Sequence, residues 1–141
     1  MGSATCERSA ARYELGDGVL APDGATRYVA VGADSGRSTT VEAISTHDGS
    51  IHRWVGLIGA WGIPYGVSPA AGEGLSADGR TLVLGDTWYG YPKRRSAFAF
   101  LDARTLRMRH AVSLRGDFAF DALSPDGSRL YLIQHVDADD Q

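Results

Sequence analysis

Along this chain short runs of alternating apolar and polar side chains are cut, again and again, by tight polar turns. Residues 27–31 (RYVAV), 81–84 (TLVL) and 129–133 (RLYLI) are β-rich runs of this kind. Each follows a turn of one composition: Ala21-Pro22-Asp23-Gly24, Ser76-Ala77-Asp78-Gly79 and Ser124-Pro125-Asp126-Gly127. Proline at the first corner sets φ near −65°, aspartate bonds its own backbone, and glycine supplies the positive φ that closes the reversal. An apolar stretch precedes each turn, clearest in residues 118–123 (FAFDAL). The pattern predicts a hairpin written three times. No stretch of a dozen residues keeps an i, i+3, i+4 apolar period free of glycine or proline, so the class it predicts is all-β.

A second hairpin fits inside each interval between turns. In the first interval it runs through residues 40–45, the turn Thr46-His47-Asp48-Gly49 and residues 50–57. In the second it runs through residues 96–101, the turn Asp102-Ala103-Arg104-Thr105 and residues 106–112. Four short strands in each unit of roughly 40–55 residues predict the blades of a β-propeller.

The segments LSADGRTLVL (Leu75 to Leu84) and LSPDGSRLYLI (Leu123 to Ile133), with FAFLDARTLR (Phe98 to Arg107) between them, resemble the YVTN and WD-like β-propeller repeats of bacterial proteins. That resemblance implies an S-P-D-G turn between the first two strands of a blade and a D-x-x-T turn between the last two. It spans residues 17 to 135 and speaks for fold, not for an activity. The first repeat departs from it, with Ala21 in place of serine and Thr46 standing where Asp102 stands in the second. The expected architecture is a partial β-propeller: two complete four-stranded blades plus the first hairpin of a third. Residues 1–16 are expected to be an N-terminal extension or the remnant strand of a preceding blade. Residues 17–72 form blade one, 73–116 blade two and 117–141 a truncated third. Closed propellers take about 4–8 blades, so a fragment of a longer propeller is expected, with self-association through its open blade edges.

Composition narrows the class further. With 43% hydrophobic and 22% charged residues the chain is not of the disordered type. A net charge of −3 supplies no global field for nucleic acid, and no nucleic-acid partner is expected. One cysteine, Cys6, excludes an internal disulfide. No apolar run is long enough for a membrane-spanning helix. No signal-peptide pattern is visible at the start of the chain, although an exported bacterial parent protein is compatible with the repeats.

If the Asp-Gly turns share one rim, the longer connections share the other: residues 32–39, 58–74, 86–95 and 114–117. Long loops on a rigid scaffold are where binding concentrates. Two are rich in rings and cations, which makes Trp61, Tyr65, Trp88, Tyr89, Tyr91, Lys93, Arg94 and Arg95 the candidate binding residues. Rings with a polar handle beside cations suit a sugar, an anionic ligand or a protein hot spot. Loop packing and solvated cations are the bland alternative. His47, His52, His110 and His135 show no metal-ligand spacing, Asp137 to Asp140 lacks the glycine and glutamate of an EF-hand, and Ser76 and Ser124 sit in turns, not in nucleophile elbows. Arg115-Gly116-Asp117 spells an adhesion tripeptide too short to carry weight. No catalytic residue, metal or cofactor is therefore assigned. The expected function is a non-catalytic binding or interaction platform, for a protein or small ligand on the long-loop rim. The alternatives are part of a propeller enzyme of hydrolase or lyase type, using Asp86, Arg94 and Asp117 with groups from further blades, and a truncated product without a function of its own.

Overall fold

The computed structural model describes residues 18–64, 74–87 and 93–136. These residues form three antiparallel sheets and no α-helix. The first sheet contains β1 (Val19–Leu20), β2 (Thr26–Ala33), β3 (Ser38–Ser45) and β4 (Ile51–Ile58), paired in chain order. The second contains β5 (Trp61–Gly62), β6 (Thr81–Asp86), β7 (Arg95–Asp102) and β8 (Met108–Arg115), again in chain order. A pair, β9 (Asp117–Leu123) and β10 (Leu130–His135), makes the third.

The alternation read from the sequence decides what each face meets. One cluster joins Tyr28, Val41, Ala43 and Leu57 of the first sheet to Leu82, Leu84, Ala99 and Leu101 of the second. On the second sheet's other face Val83, Phe98 and Phe100 form a cluster with Phe120, flanked by Phe118, Leu130 and Leu132 of the third. Each side chain of this kind contributes about 1.5–3 kcal/mol on burial. Successive sheets are thus held face to face by apolar side chains of alternate strand positions.

The three Asp-Gly turns repeat one set of bonds. Gly24 N donates to Ala21 O, Gly79 N to Ser76 O and Gly127 N to Ser124 O, at 2.8–2.9 Å. Ser76 Oγ also donates to Asp78 Oδ1 at 2.6 Å and accepts from Thr81 N at 3.0 Å. Ser124 Oγ does the same with Asp126 (2.8 Å) and Arg129 N (2.9 Å). Ala21 has no hydroxyl to do so. Asp126 further accepts from Ser128 N (3.0 Å) and Ser128 Oγ (2.7 Å). These bonds, led by the Ser128 N–H, stabilise the carboxylate and lower its pKa from 3.8 to about 2. A carboxyl lowered on folding contributes stability that is present above its unfolded value and lost as pH falls through the folded one. The third turn is therefore expected to loosen as pH falls from 3.8 through about 2. Carbon-13 carboxyl shifts should titrate Asp126 with a midpoint near 2, and Ser128→Ala should raise it; an unmodified midpoint at 3.8 would contradict this reading.

Two expectations about register need correction. Thr26 pairs with Ser45 and Thr81 with Asp102, so Ser45, not Thr46, stands where Asp102 stands. Ser45 Oγ accepts from His47 N at 3.2 Å, the counterpart of Arg104 N on Asp102 Oδ1 at 3.0 Å. A serine thus fills the turn role of the aspartate, and the equivalence slipped by one. The second sheet also starts earlier than residue 73. Trp61 pairs with Asp86, Gly62 with Gly85, and Leu75 bridges Leu82 further along β6. Trp61, Gly62 and Leu75 thus all pair with β6, and part of the segment read as one loop is ladder.

The last turn of the second sheet places Leu106 at φ 60, where the first sheet has Gly49 at φ 73. Left-handed backbone costs a branched residue about 1–2 kcal/mol, yet Leu106 is fully buried in the cluster between the first two sheets. Burial outweighs strain here. Leu106→Ala should lose roughly 2–5 kcal/mol, and Leu106→Gly about 1 kcal/mol less because the strain is relieved. Urea unfolding checks the order; glycine destabilising more than alanine would contradict it.

Candidate functional site

The rim opposite the Asp-Gly turns is built by the connections from β2 to β3 and β6 to β7, and by the short links between sheets. Its closure depends on hydroxyls at the start of the third strand of each four-stranded sheet. Thr39 Oγ1 donates to Gly59 O (2.8 Å) and accepts from Trp61 N (2.9 Å). Ser96 Oγ donates to Gly116 O (3.0 Å) and accepts from Phe118 N (2.9 Å). Gly59 N and Gly116 N donate in turn to Arg37 O and Arg94 O. Each clasp ties the strand it belongs to onto the chain entering the next sheet. Both hydroxyls are buried, so water does not compete for them. Sequence reasoning did not single them out. The available signal was a repeated spacing: a hydroxyl, a glycine twenty residues on, and an aromatic at twenty-two.

The candidate binding residues divide by location. Trp61 belongs to β5, is half-buried against the first cluster, and donates its Nε1–H to Ile58 O at 2.9 Å. Its ring packs the joint between sheets, and the expectation of a loop ring gives way to a strand position. Lys93 is partly buried, with Nζ 3.1 Å from both Asp86 O and Asp86 Oδ1. It fastens the base of the connection from Asp86 to Arg95, so its charge is already engaged. Arg95 donates Nε–H to Ser113 Oγ at 3.2 Å and stands opposite Arg115 across the β7–β8 ladder. Arg94, Arg95 and Arg115 are all exposed. Two like charges directly opposite are mildly destabilising, so this end of β7–β8 is a surface that an anion would relieve. Arg115 was not among the sequence candidates, because only strand register brings it beside Arg95. Tyr65, Trp88, Tyr89 and Tyr91 lie outside the described residues.

Several other polar and titratable groups make contacts within the fold. Asp117 is buried with Oδ2 3.6 Å from His135 Nδ1, across the first pair of the β9–β10 ladder. Asp86 holds Lys93. Of the three groups considered for an enzyme, Asp86 is therefore ion-paired, while Asp117 Oδ2 is buried near His135 with no hydrogen-bond partner among the described residues. His110 stacks on Phe100, ring centroids 4.4 Å apart and planes 15° from parallel. Ser76 and Ser124 spend their hydroxyl protons on Asp78 and Asp126. Among the described residues no three His, Cys, Asp or Glu side chains gather as a metal site, and no helix is long and apolar enough to cross a membrane. Comparison of the chain with protein-family models, with curated proteins and with solved structures returns no match in any of the three.

Proposed function

We propose that this chain is a run of β-propeller blades acting as a non-catalytic interaction platform, of the YVTN or WD-like kind. The observation that supports this reading is the repetition of one joint. Successive antiparallel meanders pack face to face, with the same turn bonds at one rim and the same hydroxyl clasp at the other. A scaffold locked at both rims leaves its longer connections free to vary, which is where recognition tends to reside. The proposed binding face is the clasp rim at Arg94, Arg95 and Arg115, on the connection whose sequence also carries Trp88, Tyr89 and Tyr91. Exposed guanidinium groups on a connection whose sequence is rich in aromatic residues suit an anionic sugar or an acidic peptide segment.

Binding to immobilised anionic and neutral oligosaccharides and to acidic and neutral peptides tests the proposal. Trp88→Ala, Tyr91→Ala and Arg94→Ala should each weaken the anionic interaction at least tenfold, with the fold retained by circular dichroism. Binding that all three substitutions leave unchanged removes this rim from consideration.

A further inference from the structure

The three Asp-Gly turns are stacked on one another, and among the described residues the stack has an open socket at one end and an uncovered knob at the other. A side chain added at Gly79 would meet the Pro22 ring of the first turn at 3.1 Å. One added at Gly127 would meet Thr81 at 2.6 Å and Ser76 at 3.3 Å in the second. Asp78 N donates to Pro125 O at 3.1 Å, which bonds the second turn to the third. In each joint the glycine of the later turn is the knob, and the earlier turn is the socket. Gly24, the knob of the first turn, has nothing within 4 Å among the described residues. The third turn borders an open depression of about 460 Å³ lined by Ser124, Pro125, Asp126, Ser128, Arg129 and Tyr131. Ser124 and Arg129 stand where Ser76 and Thr81 stand in the second turn.

The sheet faces beside these turns match. Tyr131 is 48% exposed, while Val83, at the equivalent place in the second sheet, is fully buried against the third. Ile133 on the same strand is also exposed. On the first sheet Leu20 is 46% exposed, whereas its equivalent Leu75 is 6% exposed and packed into the first cluster. Trp54, on the opposite side of β4 from Val55 and Leu57, is exposed as well. Among the described residues, the two surfaces that every internal joint consumes are therefore both open, one at each end of the stack.

We propose that the open face of β9–β10 and its turn are a docking seat for the first sheet of a second copy of this chain. The first turn of that copy enters the depression at Ser124 to Tyr131, with its Gly24 in the place Gly127 takes on Thr81. The contact is heterologous: the seat on one copy takes the knob of the next, and a rotation per step decides between a ring and a longer stack. Leu20 of the incoming copy meets the face carrying Tyr131 and Ile133, repeating the apolar joint already made twice. This inference stands on the stacking of turns and sheets and is independent of any ligand at the clasp rim.

Sedimentation velocity on the 141-residue chain tests it. The average mass should rise with concentration through the micromolar range. Tyr131→Asp spoils the seat and Leu20→Asp spoils the knob; both side chains are exposed, and circular dichroism checks that each variant keeps its β spectrum. If either does not, Tyr131→Ser or Leu20→Ser replaces it. Each variant alone should associate at least tenfold more weakly than the unmodified chain, and an equimolar mixture should give a one-to-one dimer that grows no further. A chain that stays monomeric throughout overturns the proposal. So does a mixture that fails to pair, or association abolished by Tyr131→Asp but untouched by Leu20→Asp, which would mean a symmetric contact between two third sheets.

Discussion

Replacing Ser96 with alanine is expected to destabilise the joint between the second and third sheets by roughly 1–3 kcal/mol, the cost of two half-buried backbone groups losing their partner. The hydroxyl donates to Gly116 O and accepts from Phe118 N, and the side chain is fully buried. Alanine removes the partner of that carbonyl and of that N–H in a half-buried joint. Total stability is typically only about 5–15 kcal/mol, so the loss is large. Ser96→Thr should retain both bonds, since Thr39 fills the same role in the first sheet. Amide exchange locates the damage. In Ser96→Ala protection should fall first across β9 and β10 and persist in β2 and β3. Uniform loss across all three sheets, or a change below about 0.5 kcal/mol of the kind usual for surface substitutions, would contradict the clasp.

Gly127→Ala should cost about 2–4 kcal/mol, combining left-handed strain with overpacking. Its backbone has φ 72, and the added Cβ would stand 2.6 Å from Thr81 Oγ1 and 2.7 Å from Thr81 Cβ. Gly24 provides the internal control, because its φ of 70 is nearly the same while nothing lies within 4 Å. Gly24→Ala should therefore show the backbone strain alone, about 1 kcal/mol. The difference between the two substitutions measures how closely the second and third turns are pressed together. Equal losses in thermal or urea unfolding would mean that the turns do not stack.

The parts of this fold legible in the sequence are those whose chemistry is local. An Asp-Gly turn carries its bonding partners within five residues, as Ser124, Asp126 and Arg129 illustrate, and so it announces itself. The strands flanking these turns followed from alternation, with ends shifted by at most three residues; β7, for instance, spans Arg95–Asp102 against the expected 96–101. β5 was hidden because two residues of ladder separated from Leu75 leave no alternating run to see. The clasps were hidden for a different reason. Thr39 and Ser96 are ordinary strand residues until the chain returns twenty residues later to bond them. The candidate site shows the same division. A run of three cations was visible at Lys93, Arg94 and Arg95, but one of them is neutralised by Asp86 and a different arginine, Arg115, joins the remainder through register. Trp61 looked like a loop ring because its strand was not recognised.

Nuclear Overhauser contacts between methyl and ring protons decide most directly whether the sheets follow one another face to face. Contacts from Val41 and Ala43 to Leu82 and Leu84, and from Val83 to Phe120, are the predicted result. Contacts joining Val41 to Phe120, as in a sandwich that closes the first sheet onto the third, would contradict it.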